Sequence, residues 1–321
     1  MRRPPFRRLI RRGLSGFATG AVALAVPLAV ASGPTGGSAP APGSCDNAVT
    51  PGVFSFSVPS QGSMRSATVH VPPAARGGSP LPLLLALHGV GGNGRFMAHY
   101  TGLSKLGDRA GFVVAYPSAL GSLPRWNLSG AAGAAPDDVA FISSLITQLE
   151  GRLCIDHNRV YAAGISNGGG MVARLACELS DQIAAVATVA GGYSTLPPCL
   201  ADRPVSLLEI HGTRDQITPY WGRGPSRAGS VPVFLSSWTA RDRCPSAPLR
   251  RHLRRGVVRL DWRGCAGNAA ITHLEVIGGR HEWPGSPFDD RFRPPPISAS
   301  AQVWGFFAGR SLSPPNDSLP D

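Results

Sequence analysis

RVYAAGISNGGGMVARLACEL, residues 159–179, decides the reading of this chain. A β-rich apolar run ends in Gly164-Ile165-Ser166-Asn167-Gly168, and an amphipathic helical pattern follows at once, expected over Asn167–Leu179. Small residues at 164 and 168 let the chain turn sharply, leaving the Ser166 hydroxyl at the tip of a strand-to-helix elbow. The start of the helix directs backbone N–H groups at any negative charge that develops beside it. A serine so placed is a candidate nucleophile, and it needs a base and a group to orient that base.

Outward from the elbow, the same strand character recurs. LPLLLALHG (81–89), FVVAYP (112–117), IAAVATVAG (183–191), VSLLEIHG (205–212) and THLEVIGG (272–279) are short apolar runs, four of them closing on glycine. Continuous apolar strands of this kind are covered on both faces. SFSV (55–58) and ATVHV (67–71) alternate instead, as half-buried antiparallel strands do. Helices are expected near His99–Ala110, Asp138–Arg152, Val233–Asp242 and Ile297–Ala308. Strands alternating with helices define an α/β fold, a mainly parallel central sheet with helices on both faces.

The acid and the base are expected downstream of the serine, each in a loop beyond a strand end. LLEIHGTRDQITPY places Asp215 just past one strand, and VIGGRHEWPG places His281 just past another. Asp137 and Asp138 also qualify chemically. They precede the serine in the chain, and helix N-capping accounts for one of them more simply. LALHGVGGNG offers the Val90 amide as one oxyanion donor, with Asn167 supplying the second. No lysine or G-x-G-x-x-G spacing makes that glycine loop a phosphate cradle. His88 reads as a structural strand-end histidine. Trp126, Tyr220 and Trp221 are candidate substrate-binding aromatics, each as able to pack as to stack on a planar substrate group. His281-Glu282 has no second histidine, so it is not a zincin helix, and no metal or other cofactor is expected.

These motifs resemble a known family. LHGVGG, GISNGG, HGTRDQITPY and GGRHEWPG, with the block CIDHNRVYAAGISNGGGMVARLACELSDQIAAVATVAG, are similar to the exported esterases that include polyhydroxybutyrate depolymerases and feruloyl esterases. The likeness runs from about Ser66 to Trp283. It implies an α/β-hydrolase fold, a Ser166–Asp215–His281 triad, no metal, and carboxylic ester substrates. Those substrates are feruloyl-type esters of plant cell wall, with hydroxybutyrate oligomers or acetylated xylan as alternatives. The family often carries a cysteine or another residue where Val90 stands, and no appended polymer-binding module is expected. A catalytically silent secreted α/β-hydrolase that serves as a binding protein is the non-enzymatic alternative.

The 321 residues suit one large α/β domain, expected over 51–310. Before it, six arginines and the uncharged run GLSGFATGAVALAVPLAV (13–30) form an export signal expected to be cut near Ala31. Residues 32–50 follow as a flexible Ser/Gly/Pro/Ala-rich segment, and 311–321 form a polar tail. The apolar core of the signal is too short and glycine-broken for a stable membrane span. Loss of the signal lowers the net charge from +12 to +6, since six of the 31 basic residues leave and 25 face 19 acidic ones. Arg250, Arg251, Arg254 and Arg255 form the tightest basic cluster. It has no interleaved aromatics, so it reads as a solvated face and no nucleic-acid partner is expected. Six cysteines in an exported chain suggest disulfides. The expected pairs are Cys244–Cys265, Cys154–Cys177 and, by elimination, Cys45–Cys199.

Overall fold

The computed structural model describes residues 49–130, 136–223, 229–253, 256–288 and 295–312. The expected signal, most of the 32–50 segment, Cys45, Arg254, Arg255 and most of the C-terminal tail lie outside them. Ten strands form one sheet in the order β1-β2-β4-β3-β5-β6-β7-β10-β9-β8. They are β1 (Gly52–Ser60), β2 (Ser63–Val71), β3 (Leu81–Leu87), β4 (Val113–Pro117), β5 (Ile155–Ile165), β6 (Ala185–Val189), β7 (Ser206–Gly212), β8 (Leu249–Leu253), β9 (Val257–Trp262) and β10 (Ile271–Val276). The six central strands, β4-β3-β5-β6-β7-β10, run parallel, and antiparallel hairpins close both edges.

Six α-helices cover this sheet: α1 (Gly94–Thr101), α2 (Leu103–Ala110), α3 (Asp138–Glu150), α4 (Asn167–Glu178), α5 (Val231–Arg241) and α6 (Ala299–Phe307). The central strands explain their own continuous apolar character. In β3, Leu83, Leu85 and Leu87 enter the core that also holds Phe141, Leu145, Met171 and Trp238, from α3, α4 and α5. Leu84 and Ala86 face the other way, into the core with Met97, Leu103, Trp283 and Phe307. Each such leucine is fully buried, so truncation to alanine costs about 2–5 kcal/mol.

Where the structure departs from the pattern read in the sequence, local chemistry explains it. The single helix expected at His99–Ala110 is two, because Gly102 takes a φ of +63° between α1 and α2. α1 also starts earlier, where the Asn93 side chain accepts from the Phe96 amide at 2.9 Å. The β8–β9 hairpin has no counterpart among the expected strands: β8 is exposed along its whole length and carries no alternation to find. Arg250 and Arg251 sit on that edge strand, where charge discourages pairing with another chain.

Two disulfides join described cysteines. Cys244–Cys265 forms as expected. The other is Cys177–Cys199, which overturns both Cys154–Cys177 and Cys45–Cys199. Cys177 lies on the flank of α4 that faces the segment after β6, and its Cα comes within 5.1 Å of that of Cys199. Cys154 is also disulfide-bonded. No helix among the described residues is long and apolar enough to cross a membrane.

Candidate active site

Four loops leave the carboxyl ends of parallel strands at the same edge of the sheet, the usual place for a site in an open α/β sheet. β3 leads to Gly89–Gly92, β5 to Ser166, β7 to Asp215 and β10 to His281. Ser166, His281 and Gly89–Gly92 line a cleft of about 590 Å³ together with Asn93, Phe96, Tyr100, Ile165 and Ile217.

At the elbow, Ser166 has φ 58° and ψ −123°, a conformation that a side chain rarely takes and that tertiary structure must hold. Its amide donates to the Val189 carbonyl at 3.0 Å, and its carbonyl accepts from Gly170 and Gly192, each at 3.0 Å. Glycine at 164 and 168 is a steric demand: a Cβ on Gly164 would strike the Gly168 carbonyl, and one on Gly168 the carbonyls of Leu87 and His88. Close packing of elbow and β3 loop also puts Gly89 against the Ser166 side chain.

Asp215 is buried and its carboxylate is saturated with donors. Oδ1 accepts the Ile217 and Thr218 amides at 2.8 and 2.9 Å. Oδ2 accepts the Thr218 hydroxyl at 2.9 Å and His281 Nδ1–H at 2.8 Å. Burial opposes its ionisation, but hydrogen bonds from His211 and His281 outweigh that, holding the carboxyl well below the usual carboxylate range. With Nδ1–H committed to Asp215, Nε2 of His281 is the nitrogen left to take a proton. Ser166 and His281 share the cleft without a hydrogen bond between them among the described residues, a spacing common in substrate-free triads.

Val90 is about half exposed on the cleft rim. Asn167 opens α4, so its amide has no acceptor within the helix. Its side chain is engaged elsewhere: Oδ1 accepts the Trp126 amide at 2.7 Å, and Nδ2 donates to the Trp126 carbonyl at 3.1 Å. Trp126 is 1% exposed and donates its indole N–H to the His88 carbonyl at 2.9 Å. Its expected role as a substrate-stacking ring is thereby corrected, because the ring lies behind the β3 loop and ties it to the start of α4. Tyr220 is corrected likewise: it is buried, with its hydroxyl 2.8 Å from His273 Nε2. Trp221 is 56% exposed but packs edge-on against Tyr220 and is not among the cleft-lining residues.

His88 is structural, as its strand-end position suggests. Nε2 accepts the Ala119 amide at 3.0 Å and Nδ1–H donates to the Gly89 carbonyl at 2.7 Å, so the ring is neutral. Burial pushes its pKa down. Asp137 caps α3, accepting from Ala140 at 3.0 Å. Asp138 is buried in an ion pair with Arg65 at 2.7 Å and takes the Asn127 amide at the same distance, so neither aspartate reaches the cleft.

Two groups of residues escaped sequence reasoning. Phe96 and Tyr100, which line the cleft, form an aromatic cluster with Phe288, ring centroids 5.2–6.2 Å apart, and both phenylalanines are nearly half exposed. Only their juxtaposition, from α1 and the segment after β10, marks them out. Behind Asp215 lies a buried polar chain of His211, Glu209, His273, Tyr193 and Tyr220. Its signal was present: Glu209 and His211 are polar residues on one face of an otherwise apolar strand. A larger cavity, about 860 Å³, lies between α4 and α5 beside Cys177–Cys199, and none of the triad positions lines it.

A doubly covered parallel sheet, a strained serine elbow and an aspartate–histidine pair beyond later strands define the α/β-hydrolase class. Residues 65–195 match the Esterase PHB depolymerase family. The chain is 32% identical over 258 residues to "Probable feruloyl esterase C" of Aspergillus flavus, covering 76% of this chain and 83% of that one. It is 28% identical over 263 residues to the bifunctional acetylxylan esterase/xylanase XynS20E of Neocallimastix patriciarum, covering 79% of this chain but only 35% of that longer protein. An acetyl xylan esterase structure from Aspergillus awamori shares the fold at TM-score 0.56 and 15% identity, over 76% of this chain and 94% of that one. The chain belongs to the Esterase PHB depolymerase family, and it is a serine esterase.

Proposed function

We propose that Ser166, Asp215 and His281 are the catalytic triad of an exported esterase that works through an acyl-enzyme and takes aromatic, feruloyl-type esters. The observation that carries the mechanism is the His281 Nδ1–Asp215 Oδ2 hydrogen bond at 2.8 Å, in a cleft shared with the strained Ser166. Ser166 Oγ attacks the ester carbonyl carbon while His281 Nε2 accepts its proton, and Asp215 holds the resulting imidazolium. The amides of Val90 and Asn167 receive the oxyanion. As the C–O bond breaks, His281 returns the proton to the leaving alkoxide, and water repeats the attack on the acyl-enzyme.

The aromatic wall of Phe96 and Tyr100, with Phe288 packed beside both rings, supports a planar acyl group, in keeping with the feruloyl esterases among the relatives. Export draws support from the basic, apolar N-terminal sequence and from the disulfides.

Hydrolysis of methyl ferulate by the native protein and by Ser166→Ala tests this reading. The variant is expected to lose at least about 10⁴-fold in kcat while folding normally. Comparable turnover by both would remove Ser166 from the mechanism. Fluorophosphonate labelling of Ser166 without ferulate turnover would keep the triad and move the substrate to hydroxybutyrate or acetyl esters.

A further inference from the structure

Glu209 and His211 alternate on β7, and both are buried. Glu209 is in register with Thr188 on β6 and His273 on β10, so a polar rung crosses three apolar strands. His211 bridges this rung to the proposed triad acid. Its Nδ1 lies 2.9 Å from Glu209 Oε1, and its Nε2 lies 2.8 Å from the Thr218 carbonyl and 3.3 Å from Asp215 Oδ2. A carbonyl oxygen has no proton to give. Glu209 Oε1 also accepts the Tyr193 hydroxyl at 2.9 Å. A neutral imidazole carries one N–H, so one of these contacts would set lone pair against lone pair. Two N–H groups satisfy both.

We propose that His211 is a permanently protonated positioning residue for the triad, clamping Asp215 and Thr218 from behind. This rests on reading Asp215 and His281 as the triad acid and base. Burial alone would lower the pKa of His211, but the Glu209 carboxylate beside it raises it to about 10. Glu209 is the matching partner, lowered to about 2 against its own burial by His273 and His211.

The groups facing His211 come from every element around it. β7 gives Glu209, and the following loop gives Asp215, Thr218 and the Tyr220 ring at 5.9 Å. The segment after β6 gives Tyr193 at 6.5 Å. β10 gives His273, whose Nδ1 hydrogen-bonds the Glu209 carbonyl at 3.3 Å and lies 2.6 Å from Glu209 Oε2. His281 reaches the same Asp215 oxygen from the cleft side. One cation is therefore locked between two carboxylates. Thr218 is fixed by it at the carbonyl and binds Asp215 through both its amide and its hydroxyl.

Nitrogen-15 NMR of the native, histidine-labelled protein reads the charge directly. Both ring nitrogens of His211 are expected to carry protons from about pH 5 to about pH 9; a neutral His211 at about pH 7.5 overturns the proposal. The paired variant Glu209→Gln/His211→Asn removes the ion pair without leaving a lone buried charge. In it kcat/KM on methyl ferulate and the rate of fluorophosphonate labelling are expected to fall about tenfold, as Asp215 and Thr218 lose their clamp. Unchanged rates in the folded variant also overturn the proposal. Absence of labelling at Ser166 in native protein strikes the triad reading instead, and leaves the NMR result to stand or fall alone.

Discussion

His88 and His211 occupy matching places: each is the buried histidine of a His-Gly pair closing a central parallel strand, β3 in one case and β7 in the other. Their partners make them opposites. His88 meets one donor, the Ala119 amide, and one acceptor, the Gly89 carbonyl, so it is neutral and its burial lowers its pKa. His211 meets only acceptors, with Glu209 on one side and Thr218 and Asp215 on the other, so its pKa is raised to about 10. The dipeptide sets the position, and residues distant in the chain set the charge. In the proposed site, the β3 end would hold the oxyanion loop by neutral hydrogen bonds, and the β7 end the triad acid by charge.

The largest expected effect falls at the charged end. Asp215→Asn keeps the shape of the side chain but cannot stabilise an imidazolium at His281, and its amide can favour the wrong tautomer. kcat on methyl ferulate is expected to fall about 10⁴-fold, as in other triads, with near-native circular dichroism. A loss of less than about tenfold would mean that the β7 end does not carry the acid.

Much of this was legible because the signals were local. The elbow shows itself in Gly164-Ile165-Ser166-Asn167-Gly168, where sterics leave no choice but glycine at two positions. Asp215 and His281 are legible from their places after apolar strands, since topology sends all such ends to one edge. The rest needed the third dimension. Trp126 sits in a polar loop, and nothing nearby in sequence reveals that its indole N–H reaches His88 or that its backbone clamps Asn167. The Cys177–Cys199 pairing depends on how the segment after β6 runs beside α4, which strand and helix periodicity do not encode. In β8, five exposed residues carry no burial pattern, so the strand is defined by its partner β9 alone.

An effect of intermediate size is expected in the pH dependence of stability, where the two histidines act in opposite windows. The folded-state pKa of His211 is raised, so its stabilisation is complete below about pH 6.5 and is lost as pH climbs through about 10. His88 is lowered, so its contribution is present above about pH 6.5 and is lost as the solution becomes more acidic. Glu209, lowered to about 2, adds to that acid-side loss below the ordinary carboxylate range. Each group gives a slope of at most about 1.4 kcal/mol per pH unit. Urea midpoints at constant ionic strength should therefore peak near neutrality. Glu209→Gln/His211→Asn should flatten the alkaline side and His88→Gln part of the acid side. The opposite assignment would show that the two charge states have been exchanged.

The smallest expected effect belongs to the neutral end, and Trp126→Phe isolates it. Phenylalanine keeps most of the buried ring but removes the N–H that reaches the His88 carbonyl; the backbone clamp on Asn167 is untouched. One neutral hydrogen bond is lost, so the expected cost is about 1 kcal/mol of unfolding free energy. Because His88 carries no charge, the acid limb of kcat/KM should stay where it is in native protein. A modest fall in kcat, a few-fold at constant KM, would fit an oxyanion loop that is slightly looser at the transition state. Should the acid limb move in Trp126→Phe, the β3 end would be influencing the base electrostatically. The division between a neutral end and a charged end would then fail.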